Sequence, residues 1–413
     1  MSNEHFPLID RTALLARDGY RFAERRRRTS DEDATRTRIA GSPALFVRGP
    51  EAVRFFYGDP ALVRDGAIPE PVKGPLFGPG AVHGLDGAAH TTRKRWFLDV
   101  LDVEAVRHVS TQASAAWTAD LVGWRDEVDV FRHAATTLFE VATRWAGVVV
   151  PLDQRDRRVD DMVAMVDGFG SAGPRHLRAR TARSRSQSWA AALVEQARRE
   201  GATGALADVA AAADEHGRPL PVEVAATELL NLVRPQVAVA WLVAGGTRAI
   251  AGSPSVREAV RSGEVTPLEL AQEVRRTTPF VPMLAARAAR PTSWAGVDVP
   301  EGGLVVLDVW GTNHDPRVWR DPDRFDPTRF RREPVTDDDL VPQGGGDPQG
   351  HRCPGEDLTI ALLTAMLPPL AELDLDLTFG GHPGLRRMPP RPRCDVLVRP
   401  RAEARPVDLH RRG

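Results

Sequence analysis

Between Pro221 and Gly245 the chain carries a run that only a large, mostly helical body can bury. The segment Leu229-Leu230-Asn231-Leu232-Val233-Arg234-Pro235-Gln236-Val237-Ala238-Val239-Ala240-Trp241-Leu242-Val243 is apolar on every side of a helix, the pattern of an element surrounded by protein. As one helix over 221–245 it would be roughly 37 Å long, enough to cross the whole molecule. Its middle holds a single charge, Arg234, and an unpaired buried guanidinium is costly. The helical neighbours of Arg234 at three and four residues are Leu230, Asn231, Val237 and Ala238, so no carboxylate on this helix is placed to pair with it. The partner must come from elsewhere in the fold or from a ligand. Pro235 removes one helical hydrogen bond and predicts a kink at the same point.

The remaining pattern is also mainly helical. Periodicity predicts helices over about 11–28, 88–101, 104–124, 129–146, 155–168, 176–200, 266–277 and 354–373. Ala44–Val47, Leu304–Leu307 and Val396–Val398 read as strands. Gly168 to Pro174 breaks two helices and reads as a hinge or lid loop. Ala244-Gly245-Gly246-Thr247 reads as the C-terminal cap of the long helix. No internal repeat and no Ser/Gly linker divides the chain, so residues 1–413 form one domain, mainly α with a small β lobe drawn mostly from 40–60, 285–310 and 375–400.

Composition narrows the class further. A net charge of −1 gives no electrostatic case for nucleic acid, and the Arg25–Arg28 run reads as a solvated helix end. Cys353 and Cys394 are too few and too far apart for a disulfide framework. The first residues lack the basic-then-apolar layout of a signal peptide, and Arg234 and Pro235 interrupt the longest apolar run. These features place the protein in the cytoplasm, with no membrane span.

Gly350-His351-Arg352-Cys353-Pro354-Gly355-Glu356 carries the chemistry. Cys353 sits where a Gly-rich loop, with Gly344 to Gly346 just before it, turns into an apolar helix. That setting offers backbone N–H donors and a helix dipole to a thiolate, and suits a Cys ligand to haem iron. The heptapeptide alone also fits a buried Cys acting as a small hydrophobe.

Upstream lie Glu273-Val274-Arg275-Arg276 and Arg324-Phe325-Asp326-Pro327-Thr328-Arg329-Phe330. A Glu-x-x-Arg helix, an Arg-Phe meander and a Gly-rich Cys loop, in that order, resemble the cytochromes P450. The resemblance covers nearly the whole chain. It implies haem b buried between the long central helix and the Cys-loop helix, Cys353 as axial ligand, and Glu273, Arg276 and Arg329 as a structural ion network. Two departures stand out: Pro342-Gln343 replaces the usual Phe that opens the Cys loop, and the long helix lacks the acid–alcohol pair that relays protons in most members.

Arg234-Pro235 in that place resembles the peroxide-using branch, the fatty-acid peroxygenases. So do His83-Gly84-Leu85-Asp86-Gly87, Met165-Val166-Asp167-Gly168-Phe169, Gly311-Thr312-Asn313-His314-Asp315-Pro316 and Gln343-Gly344-Gly345-Gly346-Asp347. The resemblance implies hydrogen peroxide as co-substrate, no obligatory redox partner, and oxidation of a fatty acid at Cα or Cβ to hydroxy acids or terminal alkenes. It implies Arg234, with Pro235, as carboxylate anchor and His83 as a distal residue. Phe77, Phe169 and Met283 would line the substrate channel, and Arg64, His90, Lys94 and Arg352 would meet the haem carboxylates. Two rival readings are a P450 monooxygenase fed by redox partners and a non-catalytic haem or fatty-acid binding protein.

Overall fold

The computed structural model describes residues 6–27, 33–332, 334–379, 384–391 and 394–398. Its axis is the stretch Val222–Gly252, 31 residues and mostly buried, roughly 46 Å of helix. Among the described residues it is the one helix long and apolar enough to cross a membrane. Here helices cover it instead: Val130–Trp145, Leu152–Asp167 and Pro174–Glu200 pack along it. The stretch divides into Val222–Ala238 and Ala240–Gly252. Pro235 lies inside the first part, and the Val239 N–H donates to Gln236 O at 3.1 Å, so the turn after the proline is tightened.

The helix therefore runs seven residues past the expected end at Gly245. Ala244 to Thr247 is not a cap. Gly245 and Gly246 lie inside the helix because neighbours press on them: a Cβ at Gly245 would run into Thr278, and one at Gly246 would meet Leu367 at 2.5 Å. Close helix packing, rather than a left-handed cap, is what requires glycine here. The helix expected over 11–28 is likewise two, Thr12–Asp18 and Arg21–Arg27, broken at Gly19. There φ is +55° and a Cβ would press on the Arg386 carbonyl. Arg28 lies outside the described residues. The helix expected over 354–373 is Glu356–Met366 followed by Pro368–Ala371, interrupted where Pro368 cannot donate.

The β lobe begins earlier than residue 40. A five-stranded sheet runs in the order Ala34–Ile39, Ser42–Val47, Leu304–Leu307, Leu284–Ala288, Leu62–Val63. Only the pair Ser42–Val47 and Leu304–Leu307 is parallel within it. The first two strands turn on Ala40 and Gly41, both at positive φ, as a two-residue hairpin requires. A second sheet joins Asp126–Asp129, Asp395–Val398 and Leu375–Phe379.

The Glu-x-x-Arg helix, Pro267–Thr277, starts on a capping box made by Thr266 and Glu269. Its Glu273 is fully buried and receives Arg276 at 2.8 Å and Arg329 at 3.2 Å. Arg276 Nη1 also donates to the carbonyls of Asn313 (3.0 Å) and Pro322 (2.8 Å). One carboxylate thus pins the Arg-Phe meander to this helix, the structural network the motifs implied.

Candidate active site

A cavity of about 340 Å³ opens between the central helix and the Cys-loop helix. Cys353, Leu358 and Leu362 form one wall, and Pro235, Ala238, Val239 and Leu242 the facing one. Arg234, His83, Phe77, Phe169 and Met283 line the same space, as do His90, Lys94 and Arg352. Most side chains nominated from the sequence therefore meet here. Arg64 does not line the cavity: its guanidinium lies over the rings of Phe56 (4.3 Å) and Tyr57 (5.4 Å).

The Cys353 sulfur accepts a hydrogen bond from the Gly355 backbone N–H, and Gln343 Nε2 lies 3.7 Å away. Gln343 also donates to Thr359 Oγ1 at 3.0 Å, which fixes its amide. Among the described residues the sulfur thus has one backbone and one side-chain donor beside it. Burial outweighs these donors and raises the thiol pKa, with Glu356 adding to the rise. A sulfur so desolvated becomes a thiolate only when a cation sits on it. The iron of a haem would supply such a cation at Cys353, and the apolar slot between the two helices suits a flat macrocycle.

The rim of the slot suits the haem carboxylates in part. His90 and Lys94 stand one turn apart on the helix Gly87–Val100 and both face the cavity. Burial pushes Lys94 down to about 8, a penalty that an anion beside it would relieve. His90 stacks on His351 with ring centroids 3.8 Å apart, and His351 lines the cavity too. Arg352 is already engaged by Glu356 (2.6 Å) and Asp337 (2.8 Å).

His83 rides on a single tight turn, Val82–Gly84. Its exposed surface faces the cavity rather than bulk water. Burial pushes its pKa down to about 3, with the nearby Arg234 charge the next cause, so the imidazole is neutral at ordinary pH.

Arg234 is buried at 3% exposure. Its Nη2 donates to Asn231 Oδ1 at 3.0 Å and its Nη1 to the Leu76 carbonyl. Among the described residues no carboxylate lies within ion-pairing distance of it. Burial, and after it the Arg183 charge, lower its pKa to about 9 against the opposing pull of Glu228. Arg183 was not legible in the sequence. It reaches the same Leu76 carbonyl at 3.3 Å and packs so closely on Gly78 (φ +83°) that a Cβ there would strike its guanidinium. The basic run around residue 180 gave no sign that one arginine turns inward.

The profile of the cytochrome P450 family matches residues 270–370. Ligand-free cytochrome P450 OleT superposes with a TM-score of 0.89 at 30% identity, covering 97% of this chain and 99% of that one. Cytochrome P450EX alpha (CYP152N1), solved with myristic acid, superposes at 0.88 and 33% identity, covering 96% of this chain and 99% of that one. An OleT variant solved with arachidonic acid also matches, at 0.88. Among curated sequences, cytochrome P450 98A2 of Glycine max is 36% identical over 129 residues, 28% of this chain and 25% of its own length. The chain thus spans about a quarter of the curated relative's length in that match. The full-length structural matches and the profile match, with Cys353 lining the slot, together establish that the chain belongs to the cytochrome P450 family, on the branch its motifs resemble.

Proposed function

We propose that the protein oxidises fatty acids at Cα or Cβ with hydrogen peroxide, on a haem held through Cys353, without an obligatory redox partner. Bound haem would supply a thiolate-ligated iron at which peroxide is cleaved and a C–H bond oxidised. The chain's residues then do the rest. Arg234 pairs with the substrate carboxylate in a dry, apolar cavity, where a guanidinium–carboxylate pair is strong and directional. That pairing sets the carbons next to the carboxylate beneath Pro235. The carboxylate also serves as the acid–base group: one of its oxygens takes a proton from peroxide and returns it to the departing oxygen, which leaves as water. Hydroxylation yields a 2- or 3-hydroxy acid and one water. Decarboxylation yields a terminal alkene, carbon dioxide and two waters.

The observation that carries this reading is the buried Arg234 guanidinium, with no carboxylate among the described residues within ion-pairing distance of it. A carboxylic acid ligand cancels the burial penalty that lowers its pKa. Phe77, Phe169 and Met283 supply apolar wall for the chain of such a ligand. The fatty acids bound in P450EX alpha and OleT fit the same chemistry. The test is purified protein with a medium- or long-chain fatty acid and hydrogen peroxide, no reductase added, and products read by mass spectrometry. Hydroxy acids or alkenes are expected. Turnover only with a ferredoxin and its reductase would establish the monooxygenase reading instead, and no turnover under either condition the binding-protein reading.

A further inference from the structure

One buried carboxylate stands behind three parts of the site. Glu228, on the central helix, is fully buried. Its Oε1 accepts from Arg93 Nη1 at 2.6 Å and from the Val82 backbone N–H at 3.1 Å. Its Oε2 accepts from Asn231 Nδ2 at 2.8 Å. All three partners are donors at the carboxyl and favour its ionised form, against burial, which raises its pKa. With Nδ2 committed to Glu228, the other end of the Asn231 amide faces Arg234 and accepts from Nη2 at 3.0 Å. Val82 opens the turn that carries His83, and Arg93 sits between His90 and Lys94 on the helix Gly87–Val100.

We propose that Glu228 is a positioning residue that sets the registration between the carboxylate anchor and the distal imidazole, and through it which substrate carbon is oxidised. The inference rests on the reading of Arg234 as anchor. Through Asn231, Glu228 holds one face of the Arg234 guanidinium and leaves the rest of its donors for a ligand. Through the Val82 N–H it holds the turn of His83 against the same helix. A small displacement of either end changes whether Cα or Cβ lies nearest the reacting oxygen, because adjacent carbons differ by little more than an ångström along the chain and positioning on that scale governs rate. Charge adds a reason for the arrangement. Arg93, Arg183 and Arg234 lie around this one acid, so the cluster is short of negative charge until a carboxylate enters.

Glu228→Gln is isosteric but has one acceptor where the carboxylate has two. Its carbonyl can still serve Arg93 and Val82. Its amide nitrogen then faces Asn231, whose side chain must turn and present a donor to Arg234. The experiment compares Glu228→Gln, Asn231→Leu and Arg234→Ala holoenzymes, each checked for haem content by its ferrous–carbon monoxide spectrum. Fatty-acid affinity is read from the substrate-induced Soret shift, and the Cα:Cβ product ratio by mass spectrometry. We expect Glu228→Gln and Asn231→Leu to bind roughly tenfold more weakly and to shift the Cα:Cβ ratio at native haem content. If Glu228→Gln fails to take up haem, Asn231→Leu decides. Native affinity and ratio in both, with binding lost in Arg234→Ala, overturn the inference and leave the anchor standing. Lower thermal stability with an unmoved ratio also overturns it, since packing alone would do that. Native binding in Arg234→Ala removes the anchor and the inference with it.

Discussion

The ring of Phe77 lies over the imidazole of His83, with centroids 4.3 Å apart and planes tilted by 31°. Phe169 meets Phe77 edge-on at 5.7 Å. The three rings make a wall in which His83 is the polar member. Its depressed pKa keeps it a neutral hydrogen-bonding group rather than a cation. Such a residue can influence the fate of a substrate radical without being needed for its formation. His83→Gln should raise the hydroxy-acid share over alkene while turnover persists. An unchanged product spectrum would reduce His83 to a packing residue.

Cys353 should be the haem ligand and Cys394 should not. Cys394 is fully buried, and burial holds its thiol at about 12. It does not line the cavity. Cys353→Ala should abolish the thiolate-type, red-shifted Soret band of the ferrous–carbon monoxide complex, and Cys394→Ala should keep it. The reverse pattern would exchange the two assignments.

Glu273→Ala should be among the most damaging single changes away from the cavity. It leaves the buried guanidiniums of Arg276 and Arg329 without their shared carboxylate. Removing one partner of such a network costs about 3–5 kcal/mol. Chemical denaturation of the holoenzyme measures it, and a loss below about 1 kcal/mol would mean that the backbone carbonyls around Arg276 suffice.

Acid should destabilise the protein partly through His314. This imidazole stacks on Trp310 at 3.7 Å, and burial, with Arg276 nearby, pushes its pKa down to about 3. Between its ordinary 6.5 and that value, the unfolded chain takes up a proton that the folded protein refuses, so stability falls as pH falls through this window. The difference in Tm between native protein and His314→Gln should shrink from pH 7 toward pH 4. A difference independent of pH would contradict the assignment.

Local signals in the sequence were enough for most helices, for the Cys loop and for the isolated charge at Arg234, since period, glycine placement and a lone polar residue are all read within a few positions. What escaped depends on distant partners. Glu228 meets Arg93 from 135 positions away and Val82 from 146, and neither spacing leaves a trace in periodicity. Arg183 lies in a run of exposed arginines, and only the fold shows that its face turns inward. Gly245 and Gly246 read as a cap in the sequence for the same reason: the side chains of Thr278 and Leu367 that require glycine there belong to other elements. The seating of Arg352 between Glu356 and Asp337 adds one more case, because Asp337 stands on a separate loop.

The most direct test of the account compares a free fatty acid with its methyl ester, each supplied with hydrogen peroxide to native protein and to Arg234→Ala. In the native protein the acid should turn over and the ester should not, because the ester carries neither the charge that Arg234 binds nor the oxygen that moves the proton. In Arg234→Ala, binding and turnover of the acid should fall together. Equal turnover of acid and ester by the native protein, or near-native turnover of the acid by Arg234→Ala, would contradict the claim that one buried guanidinium both anchors the substrate and enables peroxide chemistry.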